Sequence, residues 1–174
     1  MRTVAVEAYG KIHIEDPTFF ESPLPEGGRQ GYLEIASSTL RMTGSVVFGD
    51  VNRQTLTTAL PLTMSLDQSI VFSHVSSNDQ YYTGVAIVNP NLTEAHVTVE
   101  FYNQDGSLGV STPITIPARR RTSQLLTQIF TALAGEQLYS GYFKVISDIG
   151  VTSYSVFGTR DLTLLSAIPP QIVR

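Results

Sequence analysis

Along most of the chain, apolar and polar residues alternate with a period of two, the pattern of strands buried on one face only. In His96-Val97-Thr98-Val99-Glu100-Phe101-Tyr102, the residues Val97, Val99 and Phe101 share one side. His96, Thr98, Glu100 and Tyr102 share the other. Asn103-Gln104-Asp105-Gly106-Ser107 follows, and its Asp-Gly predicts a hairpin turn because glycine accepts positive φ at low cost. Asn89-Pro90-Asn91 predicts a second turn, where proline also stops the preceding strand. Further along, Phe143 and Val145 are expected to face inward, and Phe101 and Phe157 to fill the core.

The period changes once. Between Ser123 and Gly135 the apolar residues Leu125, Leu126, Ile129, Phe130 and Leu133 have helical spacing, with a serine at the start and a glycine at the stop. This predicts one short helix near Ser123–Ala134. Asp16-Pro17-Thr18-Phe19-Phe20-Glu21-Ser22-Pro23 contains two prolines and is expected to form a loop or a single turn. Many short strands with little helix predict an all-β fold: an antiparallel β-sandwich, Ig-like or jelly-roll-like, with one short helix.

The pattern also repeats. Gly31-Tyr32-Leu33-Glu34-Ile35-Ala36-Ser37 matches Gly141-Tyr142-Phe143-Lys144-Val145-Ile146-Ser147 at an offset of 110. Ser45-Val46-Val47-Phe48-Gly49 matches Tyr154-Ser155-Val156-Phe157-Gly158 at 109, and Ala59-Leu60-Pro61 matches Ala167-Ile168-Pro169 at 108. Single deletions at turns account for the drift. Backwards, Val4 and Val6 fall on Ile114 and Ile116, Lys11 on Arg121 and Phe20 on Phe130. The complete unit therefore spans residues 70–171, and residues 1–62 are read as its second half. Glu34 against Lys144 marks an exposed position, since a buried site rarely survives charge reversal. A half unit would expose an apolar face and open ladder edges. Packing onto the complete unit within the chain is favoured over strands donated by another subunit, because residues 63–69 form a short link.

Composition narrows the chemistry. The 174 residues are 42% hydrophobic and 15% charged, too apolar for disorder, yet no run of about 20 apolar residues could span a membrane. A net charge of -4 makes a nucleic-acid partner unexpected. Cysteine and tryptophan are absent, which excludes disulfides, thiol nucleophiles and thiolate metal sites. No apolar signal core follows Met1-Arg2-Thr3, so an extracellular chain would be a mature form or a fragment.

Candidate sites are few, and each has a plainer reading. His13, His74 and His96 lack neighbours at metal-ligand spacing, so ordinary histidines are expected. Asp105 lacks the downstream acid of a calcium loop and reads as a turn residue. No serine lies in a Gly-x-Ser-x-Gly elbow. Gly27-Gly28 precedes no helix and reads as a loop. Arg119-Arg120-Arg121 is the one charge cluster, better read as a guarded strand edge than as an anion site. Asn91-Leu92-Thr93 fits the glycosylation pattern, a common chance match. No catalytic residue, cofactor or metal site is expected. Tyr81, Tyr102 and Tyr154 remain as candidate ligand-facing aromatics, able to stack on a pyranose but also good strand formers.

Several of these motifs resemble a known family: Tyr82-Thr83-Gly84-Val85-Ala86-Ile87-Val88-Asn89-Pro90, Val97–Gly106, Ile116-Pro117-Ala118-Arg119, Leu125-Leu126 and Gly141-Tyr142-Phe143-Lys144-Val145. They resemble a recurrent module, often in tandem, of large secreted or surface bacterial proteins, similar to Ig-like or fibronectin-like sandwiches. The resemblance covers the second unit almost entirely and the first by half. It implies a sandwich and no catalytic residues.

The expectation is therefore a non-enzymatic extracellular or cell-surface module, structural or adhesive, partnered by itself or by neighbouring modules. The alternative is a carbohydrate-binding module of a secreted hydrolase, partnered by polysaccharide. A hydrolase built on Glu100 and Asp105 ranks last, because no third group is implied.

Overall fold

The computed structural model describes residues 2–23, 26, 31–38, 42–49 and 56–173. The expected Gly27-Gly28 loop lies outside the described residues. The chain divides into two compact units, Met1–Gly31 and Tyr32–Arg174.

In the first unit the expected single turn is a short helix α1, Asp16–Phe20, with Pro17 in its first turn and Glu21 in the left-handed region behind it. Proline fits there because the first helical N–H groups have no intrahelical partner. The Arg2 guanidinium donates to the Thr18 and Phe19 carbonyls, and the two phenylalanine rings meet edge to face at 4.8 Å. Val4 and Val6, expected in a strand, lie in no strand and are 42% and 51% exposed. A strand needs a ladder, and no described residue of this unit pairs with them.

The second unit is an antiparallel β-sandwich, as the alternation predicts. The strands β3 (Asp67–Phe72), β4 (Tyr81–Asn89), β5 (Ala95–Tyr102), β6 (Leu108–Ile116), β7 (Arg120–Leu125), β8 (Tyr142–Thr159), β9 (Leu165–Ile168) and β10 (Gln171–Ile172) build it. Eighteen residues long, β8 serves both layers. Its first part pairs with β3 and β5, giving the layer β10-β3-β8-β5-β6. Its last part pairs with β4 and β9, giving the layer β7-β4-β8-β9. Gly150 stands where one part gives way to the other. A Cβ there would come within 2.9 Å of the Leu66 Cβ, so glycine lets the two backbones approach.

Between the layers, Ala95, Val97, Val99 and Phe101 of β5 point into the core, as the pattern predicts. Phe143 stacks on Phe72 with centroids 4.8 Å apart. Phe101 is buried, but Phe157 is only partly so, packed at the margin of the core. The Asp105-Gly106 hairpin forms as expected, with Gly106 at φ +85°.

The expected helix forms within Ser123–Ala134 but is shorter than the pattern predicts. Ser123 and Gln124 belong to β7, where they pair with Ala86 and Val85. Only Leu126–Ile129 (α2) is α-helical, followed by a 3-10 turn at Thr131–Leu133. Leu126, Ile129 and Phe130 are buried. One turn suffices to bury that apolar row, and the exposed backbone of β4 claims the residues before it.

The remaining strands, β1 (Ser45–Gly49) and β2 (Thr57–Pro61), form a separate two-stranded sheet. Val46↔Leu60, Val47↔Ala59, Phe48↔Thr58 and Gly49↔Thr57 are paired. At the sequence offsets given above, these correspond to Ser155↔Ile168, Val156↔Ala167, Phe157↔Ser166 and Gly158↔Leu165. Residues 32–38, expected to form a strand like Phe143–Ser147, form none. Leu33 and Ile35 are 47% and 50% exposed, whereas Phe143 and Val145 are fully buried.

Candidate functional site

Tertiary structure sends the three candidate tyrosines to three places. Tyr154, on the outer face of the second layer, donates its hydroxyl to the Pro61 carbonyl (2.5 Å) and meets Thr63. It ties the end of β2, and Thr63 just after it, to β8.

On the outer face of the first layer, Tyr102 lies opposite Tyr142. Their rings are 4.8 Å apart and 2° from parallel. The Lys144 ammonium lies 4.6 Å from the Tyr102 centroid, a cation–π arrangement. The Tyr102 hydroxyl donates to Glu100 Oε2 at 2.7 Å. Accepting that bond, the Glu100 carboxylate holds the phenol above its ordinary pKa, with desolvation adding to the effect. The two rings cover each other and Lys144 lies over Tyr102, so the pair is largely engaged within its own sheet. Lys144 is half-buried beside them and Glu34 is exposed; Glu34 pairs with Arg119 at 2.8 Å.

Tyr81 alone borders a cleft. Its ring stacks on Phe157 at 5.1 Å, and His74 meets the same phenylalanine edge-on. Asp79, Gln80, Thr159, Arg160 and Asp161 complete a depression of about 460 Å³. A second one of about 260 Å³ shares Asp79 and Arg160 and adds Ser77, Asn78 and Gln137.

The β3–β4 loop that shapes this cleft is held by its own side chains. Asn78 Oδ1 accepts from the Gln80 and Tyr81 N–H groups, and Thr83 exchanges hydrogen bonds with the Ser76 backbone. Ser77 bridges to Leu138. Asp79 and Gln137 pair reciprocally: Gln137 Nε2 donates to Asp79 Oδ1 (3.0 Å), and the Asp79 N–H donates to Gln137 Oε1 (3.2 Å). Arg160 is anchored through Nε to the Asn78 carbonyl at 2.6 Å. Its terminal nitrogens have no partner among the described residues, nor does the buried Ser77 hydroxyl. Asp161 is spoken for: the Thr159 and Thr163 hydroxyls and the Thr163 N–H lower its pKa. Sequence reasoning missed Arg160, Asp79 and Gln137 because no local motif links them; the fold brings them together across 58 and 82 residues.

The remaining candidates take structural posts. His96 Nε2 lies 3.6 Å from Glu94 at the surface. Asp105 Oδ1 accepts from the Ser107 hydroxyl and N–H, which lowers its pKa. Arg120 and Arg121 open β7, whose one pairing strand among the described residues is β4. The Asn91 amide of the glycosylation pattern is engaged, donating to Asn89 Oδ1 and to the Gly150 carbonyl at 2.8 Å. Among the described residues no three His, Asp or Glu side chains cluster as a metal site, and no helix is long and apolar enough to cross a membrane.

No protein-family model matches the chain, and no curated protein matches it. Among solved structures it is similar to the Anabaena sensory rhodopsin transducer, with 14% identity and a TM-score of 0.46 over 53% of this chain and 99% of that one. A likeness that distant assigns neither family nor function.

Proposed function

We propose that this chain is a non-enzymatic structural or adhesive module of the Ig-like kind, in an extracellular or cell-surface protein, acting through contacts with copies or neighbouring modules. One observation supports the reading above all. Leu33, Ile35, Val46, Val47 and Phe48 are each between 39% and 64% exposed, and large apolar side chains left in water gain from a partner that covers them. Several polar side chains buried in the sandwich serve the scaffold: Ser153 and Ser155 bond backbone carbonyls of β4, and Asn89 bonds three others.

The cleft beside Tyr81 favours a second reading, saccharide binding. A rigid tyrosine face, an arginine with unused donors and the Asp79–Gln137 pair suit a neutral vicinal diol, and the flanking carboxylates disfavour an anion. Affinity electrophoresis through gels containing xylan, glucomannan or β-glucan decides between the two. On the first reading the mobility is unchanged. Retardation by one of these polymers that is lost in Tyr81→Ala overturns it in favour of the second.

A further inference from the structure

We propose that the open edge of β1 is a two-fold interface, where a second copy of this chain adds its own β1 antiparallel. The result is a four-stranded sheet, β2-β1-β1-β2, shared by two copies. This inference rests on the reading of the chain as a module that works by association, and it names the partner and the contact.

Three observations carry it. First, β1 pairs with β2 on one side, and no described residue pairs with its other side. A two-stranded sheet by itself is marginal in water; here β2 lies beside β9 and its Pro61 carbonyl accepts from Tyr154, while β1 has no second pairing strand among the described residues. Val46 and Phe48 are each 39% exposed on one face and Val47 is 64% exposed on the other, so both faces gain from a neighbour.

Second, the matching part of β8 shows what kind of neighbour fits. Residues 154–158 have β9 on one side in the register that β2 keeps with β1, and on the other side they take β4 antiparallel, from Ala86↔Tyr154 to Tyr82↔Gly158. β1 has its β9-like neighbour in β2, but no described residue takes the place of β4 on its other edge.

Third, the edge suits a copy of itself. Ser45-Val46-Val47-Phe48-Gly49 contains no charge and no proline, the devices that blunt other edges. On β7 the guard is Arg120 and Arg121, and on β6 it is Pro113. Antiparallel pairing about Val47 sets Val47 against Val47 and Val46 against Phe48, and every contact is returned by the two-fold axis. Apolar cross-strand pairs of this kind stabilise a ladder.

Analytical ultracentrifugation of the full chain tests this with Val47→Lys, Val47→Glu and their equimolar mixture. Wild type is expected to dimerise, each variant to associate at least about tenfold more weakly through like-charge opposition, and the mixture to recover. A monomeric wild type, or variants that dimerise as wild type does, overturns the proposal. If dimers form elsewhere, the association reading stands while this contact falls. Val47→Cys gives a check that tolerates no charge, in a chain otherwise free of cysteine. Facing Cα atoms in a ladder lie about 4.5–5.5 Å apart, within disulfide reach, so mild oxidation should cross-link it faster than Val173→Cys at an exposed control site. Equal rates overturn the proposal.

Discussion

Asn89 donates its side-chain amide to the Ile116 carbonyl at 3.0 Å from a position with no solvent exposure. The same amide reaches the Thr93 and Pro117 carbonyls, and its oxygen accepts from the Asn91 N–H and amide. One side chain thus satisfies the turn after β4 and the end of β6. Asn89→Ala should cost about 3 kcal/mol, because several buried polar groups lose their partner at once. Urea unfolding measures it, and a loss below about 1 kcal/mol would show that water replaces the amide.

The two phenylalanines expected in the core should separate under mutation. Phe101 is 2% exposed, whereas Phe157 is partly buried between Tyr81 and His74. Phe101→Ala should cost about 3–5 kcal/mol, within the range for a large core cavity. Phe157→Ala should cost about half as much, since solvent already reaches the ring. Equal losses in denaturant titration would place both side chains at the same depth.

Gly141, just before β8, has φ +121°, and a Cβ there would lie 2.5 Å from the Tyr102 carbonyl oxygen and 2.8 Å from the Phe101 ring. Gly141→Ala should therefore cost about 3 kcal/mol through backbone strain and displacement of Phe101. Gly106→Ala, in open space at φ +85°, should cost less, about 1 kcal/mol. Thermal melts of the two variants make the comparison.

Acid should weaken the fold through two turns. The Thr159 hydroxyl, then Thr163, lowers the Asp161 pKa, and Ser107 lowers that of Asp105. A carboxyl whose folded pKa lies below its unfolded value contributes stability above the ordinary aspartate range, and loses it as pH falls through the folded value. Melting temperature should therefore fall below about pH 4, and less steeply in Asp105→Asn with Asp161→Asn. Calcium or a chelator should leave it unchanged at neutral pH, because Asp105 is committed to Ser107.

Much of the fold was legible in the sequence because its cause is local. Period-two alternation places Val97, Val99 and Phe101 on one face of β5 whatever lies beyond. The Asp105-Gly106 turn follows from the tolerance of glycine for positive φ. The offset between Ser45–Gly49 and 154–158, less one residue at the turn, foretells the β1–β2 register, because hairpin register depends on loop length.

Other features depended on distant partners. Ser123 and Gln124 carry a helical pattern, yet they lie in β7 because the β4 backbone offers a ladder; propensity is a weak prior beside unpaired hydrogen-bonding groups. The tyrosines look equivalent in sequence, but one is bound to Pro61, one stacks on Tyr142 and one borders the cleft. Arg160 becomes a cleft residue only when β8 ends beside Asn78. Alternation says which face of a strand is apolar. Only the pairing of strands far apart in the chain decides that Phe143 and Val145 are covered while Leu33 and Ile35, from the same motif, stay in water.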